Sequence, residues 1–368
     1  ERRIAESKER ARRGAKRRKG LSEPLETREK QFGGRRSRFV ARKKLADANR
    51  IVRRNTIQLT QFAVGDFGQY WGEVFSNTTI ELFMRFFTDI QCFNFSERQQ
   101  VFPIESLPSD GYCQLKSVRE PLQWITNKLR ERIDSLEGYA SDLEVHDGAW
   151  NMRVGDEIIR AQKVILATGG TPKSLTHDGV DEISLYDALN PSRLSQAVNP
   201  SDKVAVFGSS HSSMIIMKNL LDAGVKQVVN FYLAPHRYAV RMDGWTLYDN
   251  TGLKADTASW VRQHISKQLD PRIERYISNE SNMNKYLYDC DKAVYPIGFK
   301  SRTPNLKDLN DLQYDANTGI IAPGLFGAGI AFPRQVVDPF GGRELNVGLF
   351  KFMNDIRAMV PLWLQYGL

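Results

Sequence analysis

Small side chains fill the segment Gly208-Ser-Ser-His-Ser-Ser213, which follows the apolar run Val204–Phe207 and precedes a helical pattern over Met214–Ala223. A strand, a tight turn and a helix in this order point free backbone N–H groups and the positive end of the helix dipole at one place. A pyrophosphate binds there without needing any particular side chain. The glycine spacing Gly-x-Gly-x-x-Gly is kept, with serine at its second and third positions. The segment predicts a dinucleotide site, and a purely structural turn is the alternative.

Two further segments place backbone where a nucleotide could approach. Val164-Ile-Leu-Ala-Thr-Gly-Gly170 is a buried-strand pattern that ends in small residues, about forty residues before Gly208. Gly324-Leu-Phe-Gly-Ala-Gly-Ile330 precedes a C-terminal helical pattern, and a glycine turn before a helix can direct N–H groups at an electron-rich ring such as a flavin. A common strand cap and a glycine-rich loop are the structural alternatives for these two segments.

Cysteine and histidine spacing excludes several other chemistries. Cys92, Cys113 and Cys290 form no Cys-x-x-Cys pair, which argues against a disulfide reductase and favours a reducing intracellular compartment, the cytoplasm or an organelle matrix. The five histidines have no zinc-ligand spacing, so no metal is expected. His211 is interpreted as a local hydrogen-bonding residue, and no catalytic residue is assigned.

Periodicity gives the elements that would position these segments. Strands are predicted over 56–60, 143–149, 150–154, 157–161, 163–167, 203–207, 227–232 and 292–297. A loop and a helix are predicted within 76–87, and further helices over 121–136, 214–223 and from about 347. The stretch between 233 and 287 is predicted to be mostly helical. No apolar run reaches the 18 residues typical of a membrane span, so no membrane contact is expected.

In their order along the chain, the three glycine- and serine-rich segments resemble the FAD/NAD(P)-binding oxidoreductases with two dinucleotide folds, the flavin monooxygenase and pyridine-nucleotide reductase superfamily. Tyr248–Lys254 and Val64–Trp71 are similar to a microbial branch of it. The resemblance implies an α/β fold with two Rossmann-like dinucleotide-binding units, the second inserted in the first. It divides the chain into a basic N-terminal extension (1–50), an FAD-type domain (51–175 and 299–368) and an NAD(P)-type domain (176–298).

The resemblance also implies cofactors and site residues. The middle unit would bind NADPH or NADH, and the flanking parts together would bind FAD, for an NAD(P)H oxidoreductase of monooxygenase type acting on a small molecule. The residues that would face NAD(P)H are Gly208, Ser209, Ser210, Ser212 and Ser213. Those that would line FAD are Gly65, Asp66, Thr168, Gly169, Gly327 and Gly329.

The first FAD fingerprint of this superfamily is absent from the sequence. Only Gly33-Gly34 lies near the required distance before the predicted strand at 56–60, and no apolar strand precedes it. Without that strand the FAD pyrophosphate loses its usual cradle. Three explanations fit: an inactive subunit recruited to another role, FAD bound in an altered manner, or a gene-model artefact in the N-terminal sequence.

Charge is distributed unevenly along the chain. Residues 1–55 hold 21 basic and 7 acidic side chains, whereas 56–368 hold 31 and 36. Such asymmetry is typical of an arm that binds a polyanion, so contact with RNA or a ribonucleoprotein is the alternative function. The densest clusters, and the predicted nucleic-acid contacts, are Arg12, Arg13, Lys16, Arg17, Arg18, Lys19, Arg42, Lys43 and Lys44. A merely solvated tail is the competing interpretation.

Overall fold

The computed structural model describes residues 57–60, 73–90, 95–307 and 313–368 of the chain. The first part contains two α-helices and several short strands. Its elements are β1 (Ile57–Thr60), α1 (Ile80–Asp89), α2 (Lys116–Arg130), β2 (Asp134–Glu137), β3 (Ala140–His146), β4 (Ala149–Val154), β5 (Glu157–Ala161), β6 (Val164–Leu166) and β7 (Gly170–Pro172), with 3₁₀ turns at Phe95–Glu97 and Pro103–Ser106.

The middle part alternates strands and helices. Its elements are β8 (Asp181–Glu182), α3 (Leu185–Leu189), α4 (Pro191–Ala197), β9 (Lys203–Phe207), α5 (His211–Asp222), β10 (Gln227–Tyr232), β11 (Val240–Arg241), β12 (Thr246–Leu247), α6 (Ala255–Val261) continued by a π-helical segment (Arg262–Lys267), β13 (Ile273–Ile277), α7 (Glu280–Tyr286) and β14 (Lys292–Val294). These strands build a parallel sheet in the order β13-β10-β9-β14-β8.

The last part returns to the strands of the first. It contains β15 (Phe299–Ser301), β16 (Asn305–Leu306), β17 (Ile320–Ala322), β18 (Leu325–Gly327), a 3₁₀ turn (Gly329–Ala331), β19 (Arg334–Val337), β20 (Arg343–Asn346) and α8 (Leu349–Trp363). Strand β18 pairs in parallel with β6, and β16 adds to the sheet of β3, β4 and β5. The C-terminal segment therefore completes sheets that the first part began.

The apolar run of β9 fits its place at the centre of the parallel sheet, where both faces are covered. On one face Val204 and Val206 pack against Met214 of α5, and on the other Phe207 lies with Phe231 and Tyr295. Burial on both sides explains why this strand has no polar alternation. The carboxyl edge of the sheet is consequently where loops and side chains remain available to contact a ligand.

A separate aromatic core holds the first helices together. Phe87 of α1 stacks on Phe95, which stacks in turn on Phe102, with ring centroids 5.3 and 5.9 Å apart. Val118 and Ile125 of α2 belong to the same buried cluster. The apolar stripe of α1 is thereby buried on another helix, as its pattern predicts.

Two of the predicted elements were wrong. The helix predicted over 121–136 runs instead from Lys116 to Arg130 and accommodates Pro121 in its interior. Asp134–Glu137 pairs in parallel with β1, far away in sequence, and helical periodicity cannot reveal such a partner. The stretch predicted to be helical up to 287 contains the strand β13, whose pairing with β10 outweighs local helix propensity.

The hairpin predicted at Asp147-Gly148 is confirmed. Strands β3 and β4 are antiparallel, and both turn residues have positive φ, 48° and 68°, as a two-residue turn that follows the strand twist requires. Among the described residues, no helix is long and apolar enough to cross a membrane.

Candidate functional site

The turn after β9 is held by backbone and by one buried amide. The Gly208 N–H donates to the Phe231 carbonyl at 2.6 Å, and Asn230 Nδ2 donates to the Val206 and Gly208 carbonyls at 2.9 and 2.8 Å. Gly208 has φ +103°, and a Cβ there would lie 2.7 Å from Ser213 Oγ. Only glycine fits this position, because both the backbone conformation and the space exclude a side chain.

The predicted serines divide into two groups. Ser209 Oγ donates to the Ala234 carbonyl at 2.5 Å, and the fully buried Ser213 donates to the Phe207 carbonyl at 3.3 Å. These two therefore fix the turn to its surroundings, and Ser213 faces the strand–helix packing instead of the open side. Ser210 is the N-cap of α5 and makes no side-chain cap bond, while Ser212 lies half-buried in the first turn.

The first turn of α5 is the part of this segment suited to an anion. Its leading N–H groups have no partner within the helix, and the helix dipole adds partial positive charge. The helix spans twelve residues and carries no acidic side chain in its first turn. A pyrophosphate seated there would contact backbone between Ser209 and Ser212.

The side chain of His211 is uncharged at the head of this helix. Burial, together with the nearby charge of Lys254, lowers its pKa to about 4. Its buried Nδ1 makes no hydrogen bond with the protein. A neutral imidazole beside the positive end of a helix argues against a proton donor at neutral pH. The local hydrogen bonding predicted for His211 is not found at Nδ1.

The depressed pKa of His211 predicts a pH-dependent stability. The unfolded chain takes up a proton below about pH 6.5, whereas the folded chain resists it down to about pH 4, so this contribution to stability is complete above pH 6.5 and lost as the pH falls. The free energy of unfolding is expected to fall between about pH 7.5 and about pH 4.5. His211→Asn is expected to make that fall about 1–2 kcal/mol smaller. Urea unfolding at both pH values measures it.

The control for this measurement is His146→Asn, at an exposed hairpin end. That substitution is expected to leave the difference between the two pH values unchanged. If His211→Asn also left the difference unchanged, the imidazole would not be held neutral by burial in the folded protein.

A second polar cluster joins the middle part of the chain to α8. Asp249 receives hydrogen bonds from both Lys254 and Lys351, and Lys351 also donates to Asn250 Oδ1 at 2.5 Å. Burial alone would raise the pKa of Asp249, but the two lysines together hold it below its usual value. Asn250 Nδ2 donates in turn to the Leu345 carbonyl at 2.6 Å. The segment 249–254 is therefore anchored on the chain that leads into α8.

The ends of β6 and β18 lie side by side, and the predicted FAD-lining residues Thr168, Gly169, Gly327 and Gly329 lie in or just after these strands. Thr168 Oγ1 donates to the Arg302 carbonyl, and the Ala328 N–H donates to the Leu166 carbonyl at 2.9 Å. Gly169 and Gly329 have positive φ, and a Cβ at either would meet no atom within 4 Å. Backbone at these two positions is open to a ligand.

Gly327 has a different reason to be glycine. A Cβ there would lie 2.4 Å from the ring of Phe332. The missing side chain makes room for packing, whereas the open backbone belongs to its neighbour Gly329. Gly65, Asp66 and the nine basic residues predicted to contact nucleic acid lie outside the described residues.

Two of the three cysteines lie in the described part of the chain. Cys113 and Cys290 are buried free thiols, and burial raises the pKa of Cys290 to about 12. Such thiols are protonated and poor nucleophiles at neutral pH. Cys92 lies outside the described residues. In the described ranges, no group of three metal-ligating side chains comes together.

Sequence reasoning missed several polar residues of this region. Asn230 shapes the turn at Gly208, Asp249 binds two lysines, and Arg275 of β13 lies beside Asn230 and contacts His236, in the loop after β10. One signal was available: an amide inside the apolar run Val228–Tyr232 is a buried polar group that needs partners. The others depend on contacts between distant segments.

Comparison with known proteins supports the resemblance. No protein-family model matches the chain. Monooxygenase AgnR1 of Paecilomyces divaricatus is 29% identical over 353 residues, which covers 82% of this chain and 89% of that protein. Among solved structures, a flavin-containing monooxygenase from Stenotrophomonas maltophilia has a TM-score of 0.54 at 13% identity and covers 86% of this chain and 94% of its own.

A second structural neighbour is the ornithine N-hydroxylase of Kutzneria sp. 744, whose structure carries FAD and NADP⁺. Its TM-score is 0.53 at 10% identity, with 84% of this chain and 92% of that chain covered. The predicted resemblance to FAD/NAD(P)-binding oxidoreductases and the predicted α/β class are confirmed. The predicted basic extension lies outside the described residues.

Proposed function

We propose that this protein is a flavin-dependent oxidoreductase of the monooxygenase type that uses FAD and NAD(P)H. The observation that carries the proposal is the turn at Gly208, a cradle that a single Cβ would fill, at the head of a helix with free N–H groups. A relative that covers 82% of the chain is a monooxygenase, and the fold neighbours include a flavin-containing monooxygenase and an ornithine N-hydroxylase. The division into an FAD-type and an NAD(P)-type domain is part of the same proposal.

The residues at both candidate sites fit the groups assigned to them. The N–H groups of the first turn of α5 would hold the pyrophosphate of NAD(P)H, with Ser210 and Ser212 as added donors. Gly169 and Gly329 would let backbone approach FAD. Bound FAD would supply the redox chemistry, with NAD(P)H as hydride donor and oxygen or another acceptor as oxidant. The chain's own residues bind and orient.

Substitutions at Ser210 separate an effect on the stability of α5 from an effect on nucleotide binding. Ser210→Asp places a preferred N-cap residue at the head of α5, yet its charge opposes a pyrophosphate. The free energy of unfolding is expected to stay within about 1 kcal/mol of the parent, while NAD(P)H affinity falls by about tenfold or more. Ser210→Asn, with the same shape and no charge, is the matched control and is expected to bind normally. Equal binding by both variants would place the nucleotide elsewhere.

Flavin content tests the proposal directly. The full chain, isolated from its natural source, is expected to show a flavin absorbance spectrum that NAD(P)H bleaches without oxygen and that air restores. In the Ser210→Asp variant the flavin is expected to remain bound while bleaching slows. A colourless protein that takes up no added FAD would overturn the proposed activity.

The charge of residues 1–55 favours a second candidate function, binding of RNA or a ribonucleoprotein. The 21 basic residues there outnumber 7 acidic ones, whereas the remainder of the chain is mildly acidic. Replacing the nine predicted contact residues by glutamine is expected to flatten the salt dependence of RNA affinity, because fewer counterions are released. Nine glutamines at basic positions of 56–368 serve as control. An unchanged slope in the first variant would exclude the arm as an RNA contact.

A further inference from the structure

The segment Tyr248–Lys254 is a tightly built turn of the middle part. Tyr248 has φ +56°, and Ala255, which follows the segment, has φ +51°, a conformation that residues other than glycine seldom adopt. At Gly252 a Cβ would lie 2.3 Å from the Ala239 backbone nitrogen, so only glycine fits inside the turn. Strained backbone that its surroundings hold in place is concentrated at functional segments of proteins.

The polar residues of this segment reach the last part of the chain. Asp249 accepts a hydrogen bond from Lys351 of α8. The Asn250 N–H donates to Glu344 Oε2 at 3.3 Å, and Thr251 Oγ1 donates to Glu344 Oε1 at 3.4 Å. These contacts join positions that are 93 to 102 residues apart in the sequence. We call this set of contacts the clamp, because it attaches the middle part to the strand and helix that end the chain.

Asp249 is the charged centre of the clamp. It also accepts a hydrogen bond from Lys254, so a single carboxylate binds one lysine of its own turn and one lysine of α8. The three side chains are partly buried, with 32% of Asp249, 17% of Lys254 and 30% of Lys351 exposed. Charge-assisted hydrogen bonds are shorter and stronger than neutral ones, so the carboxylate holds the two lysines at a fixed separation.

On the side of the middle part, the clamp is continuous with α5. Lys254 leads directly into α6, whose Ala258 and Val261 are buried in the same cluster as Met214 of α5. Burial, and after it the charge of Lys254, lowers the pKa of His211, the first residue of α5. A displacement of the clamp would therefore move the helix whose first turn is the proposed nucleotide site.

On the side of the last part, the clamp is continuous with β18. Lys351 lies in the first turn of α8, and Trp363 at the end of this helix stacks on Phe326 of β18, with ring centroids 5.0 Å apart. Strand β18 ends at Gly327 and leads into the open backbone at Gly329. Helix and strand are packed as one unit, so the clamp fixes the proposed FAD-lining turn relative to the head of α5.

We infer that Asp249 and Lys351 are positioning residues, which hold NAD(P)H bound at α5 in the place from which it can reduce FAD. The inference rests on the proposed function, because it assumes both cofactor sites. In that reduction two electrons and a proton pass as a hydride from NAD(P)H, which leaves as NAD(P)⁺, and a solvent proton completes the reduced flavin. Neither side chain has to touch a cofactor, since each acts through the elements that it joins.

Loss of the clamp is expected to affect the rate of this step more than the affinity for the nucleotide. A fixed arrangement of two reactants supplies a large part of an enzyme's rate, and a misplacement of about 1 Å can cost about a hundredfold. The proposed contacts of the pyrophosphate, in contrast, lie within the first turn of α5 and do not include the clamp.

The distance between the two parts tests the clamp without any cofactor. Spin labels on Asp222→Cys, at the end of α5, and on Asn354→Cys of α8 occupy exposed positions. Cys92 is replaced by serine in this background, since the other two thiols are buried. Double electron–electron resonance on the full chain measures the distribution of distances between the labels, and one narrow distribution is expected.

The two lysines that share Asp249 give a matched pair of variants. Lys351→Met breaks the link to α8 but leaves Asp249 paired with Lys254, and it is expected to shift or broaden the distribution by at least about 2 Å, the scale of helix shifts at interfaces. Lys254→Met keeps the link to α8 and is expected to retain the distribution of the parent. Asn250→Ala, which removes side-chain bonds to Lys351 and to the Leu345 carbonyl, is the second variant should Lys351→Met not fold, with the same change expected.

The kinetics of flavin reduction separate positioning from binding and from folding. In anaerobic stopped-flow measurements, Lys351→Met is expected to lower the limiting rate of reduction by at least about tenfold, while the Kd for NAD(P)H stays within about twofold of the parent. Lys128→Met, which removes a lysine from an exposed ion pair of α2, is the control and is expected to change neither. A purely structural role would instead reduce the yield of folded flavoprotein and leave the limiting rate per bound flavin unchanged.

The outcomes separate this inference from the proposed function. Distance distributions that stay unchanged in Lys351→Met and Asn250→Ala, or an unchanged limiting rate in Lys351→Met, would overturn the positioning role and leave the proposed function intact. A parent chain that takes up neither FAD nor NAD(P)H would overturn the proposed function, and the positioning role with it.

Discussion

Alanine at Gly208 is expected to lower the free energy of unfolding by at least about 3 kcal/mol and to abolish binding of NAD(P)H. The residue has φ +103°, and a Cβ would lie 2.7 Å from Ser213 Oγ and 3.2 Å from the Pro296 carbonyl. Ser213 is fully buried, so it can move only by disturbing the packing of α5 on β9. Backbone strain and steric overlap therefore add, and the turn that presents the N–H groups is distorted. Urea unfolding and nucleotide titration measure the two effects.

Gly224→Ala is a matched control for the backbone strain of a positive φ without the steric overlap. It has φ +81° after the end of α5, but a Cβ there would meet nothing within 4 Å. Gly224→Ala is expected to cost only about 1 kcal/mol and to leave nucleotide binding intact. If the two variants lost the same stability, the close approach of Gly208 to Ser213 and Pro296 would carry no energetic weight.

Asparagine at Asp249 is expected to destabilise the protein by about 2–3 kcal/mol. The carboxylate is shared by Lys254 and Lys351, whose side chains are 17% and 30% exposed, so its removal leaves two partly buried ammonium groups without a counter-charge. An amide oxygen can still accept one hydrogen bond, which keeps the loss below that of a fully buried pair. The junction between 249–254 and α8 is expected to open first, and hydrogen exchange at the start of α8 would detect this.

Two comparisons test this explanation of the Asp249 effect. Asp222→Asn removes the exposed partner of Lys218 and is expected to cost less than about 0.5 kcal/mol. Adding Lys351→Met to Asp249→Asn removes one of the stranded charges and is expected to recover about 1 kcal/mol. If the double variant instead lost as much stability as the two single variants together, the uncompensated lysine charge would not be the cause of the Asp249→Asn effect.

Much of the fold could be predicted from short stretches of sequence. The β9 run, the turn at Gly208, the hairpin at Asp147-Gly148 and the terminal helix each have a local pattern, because burial on both faces, positive φ and helical spacing leave their signature in neighbouring residues. Strands Asp134–Glu137 and β13 were missed for the opposite reason. Each is defined by a parallel partner distant in sequence, and local propensity alone favoured a helix there.

The features of the candidate site likewise divide into those with a local sequence pattern and those set by contacts between distant residues. Sequence by itself determined that a strand, a tight turn at Gly208 and a helix follow one another, the arrangement that we propose holds a pyrophosphate, since small residues between a strand and a helix suffice to specify backbone donors. Only the tertiary structure decided that Ser213 faces the interior, that Gly327 makes room for Phe332, and that Asn230 brings Arg275 to the same edge as the turn. These outcomes depend on which distant side chains share a space, and the distance between them is set by the packed sheet and not by their spacing in the chain.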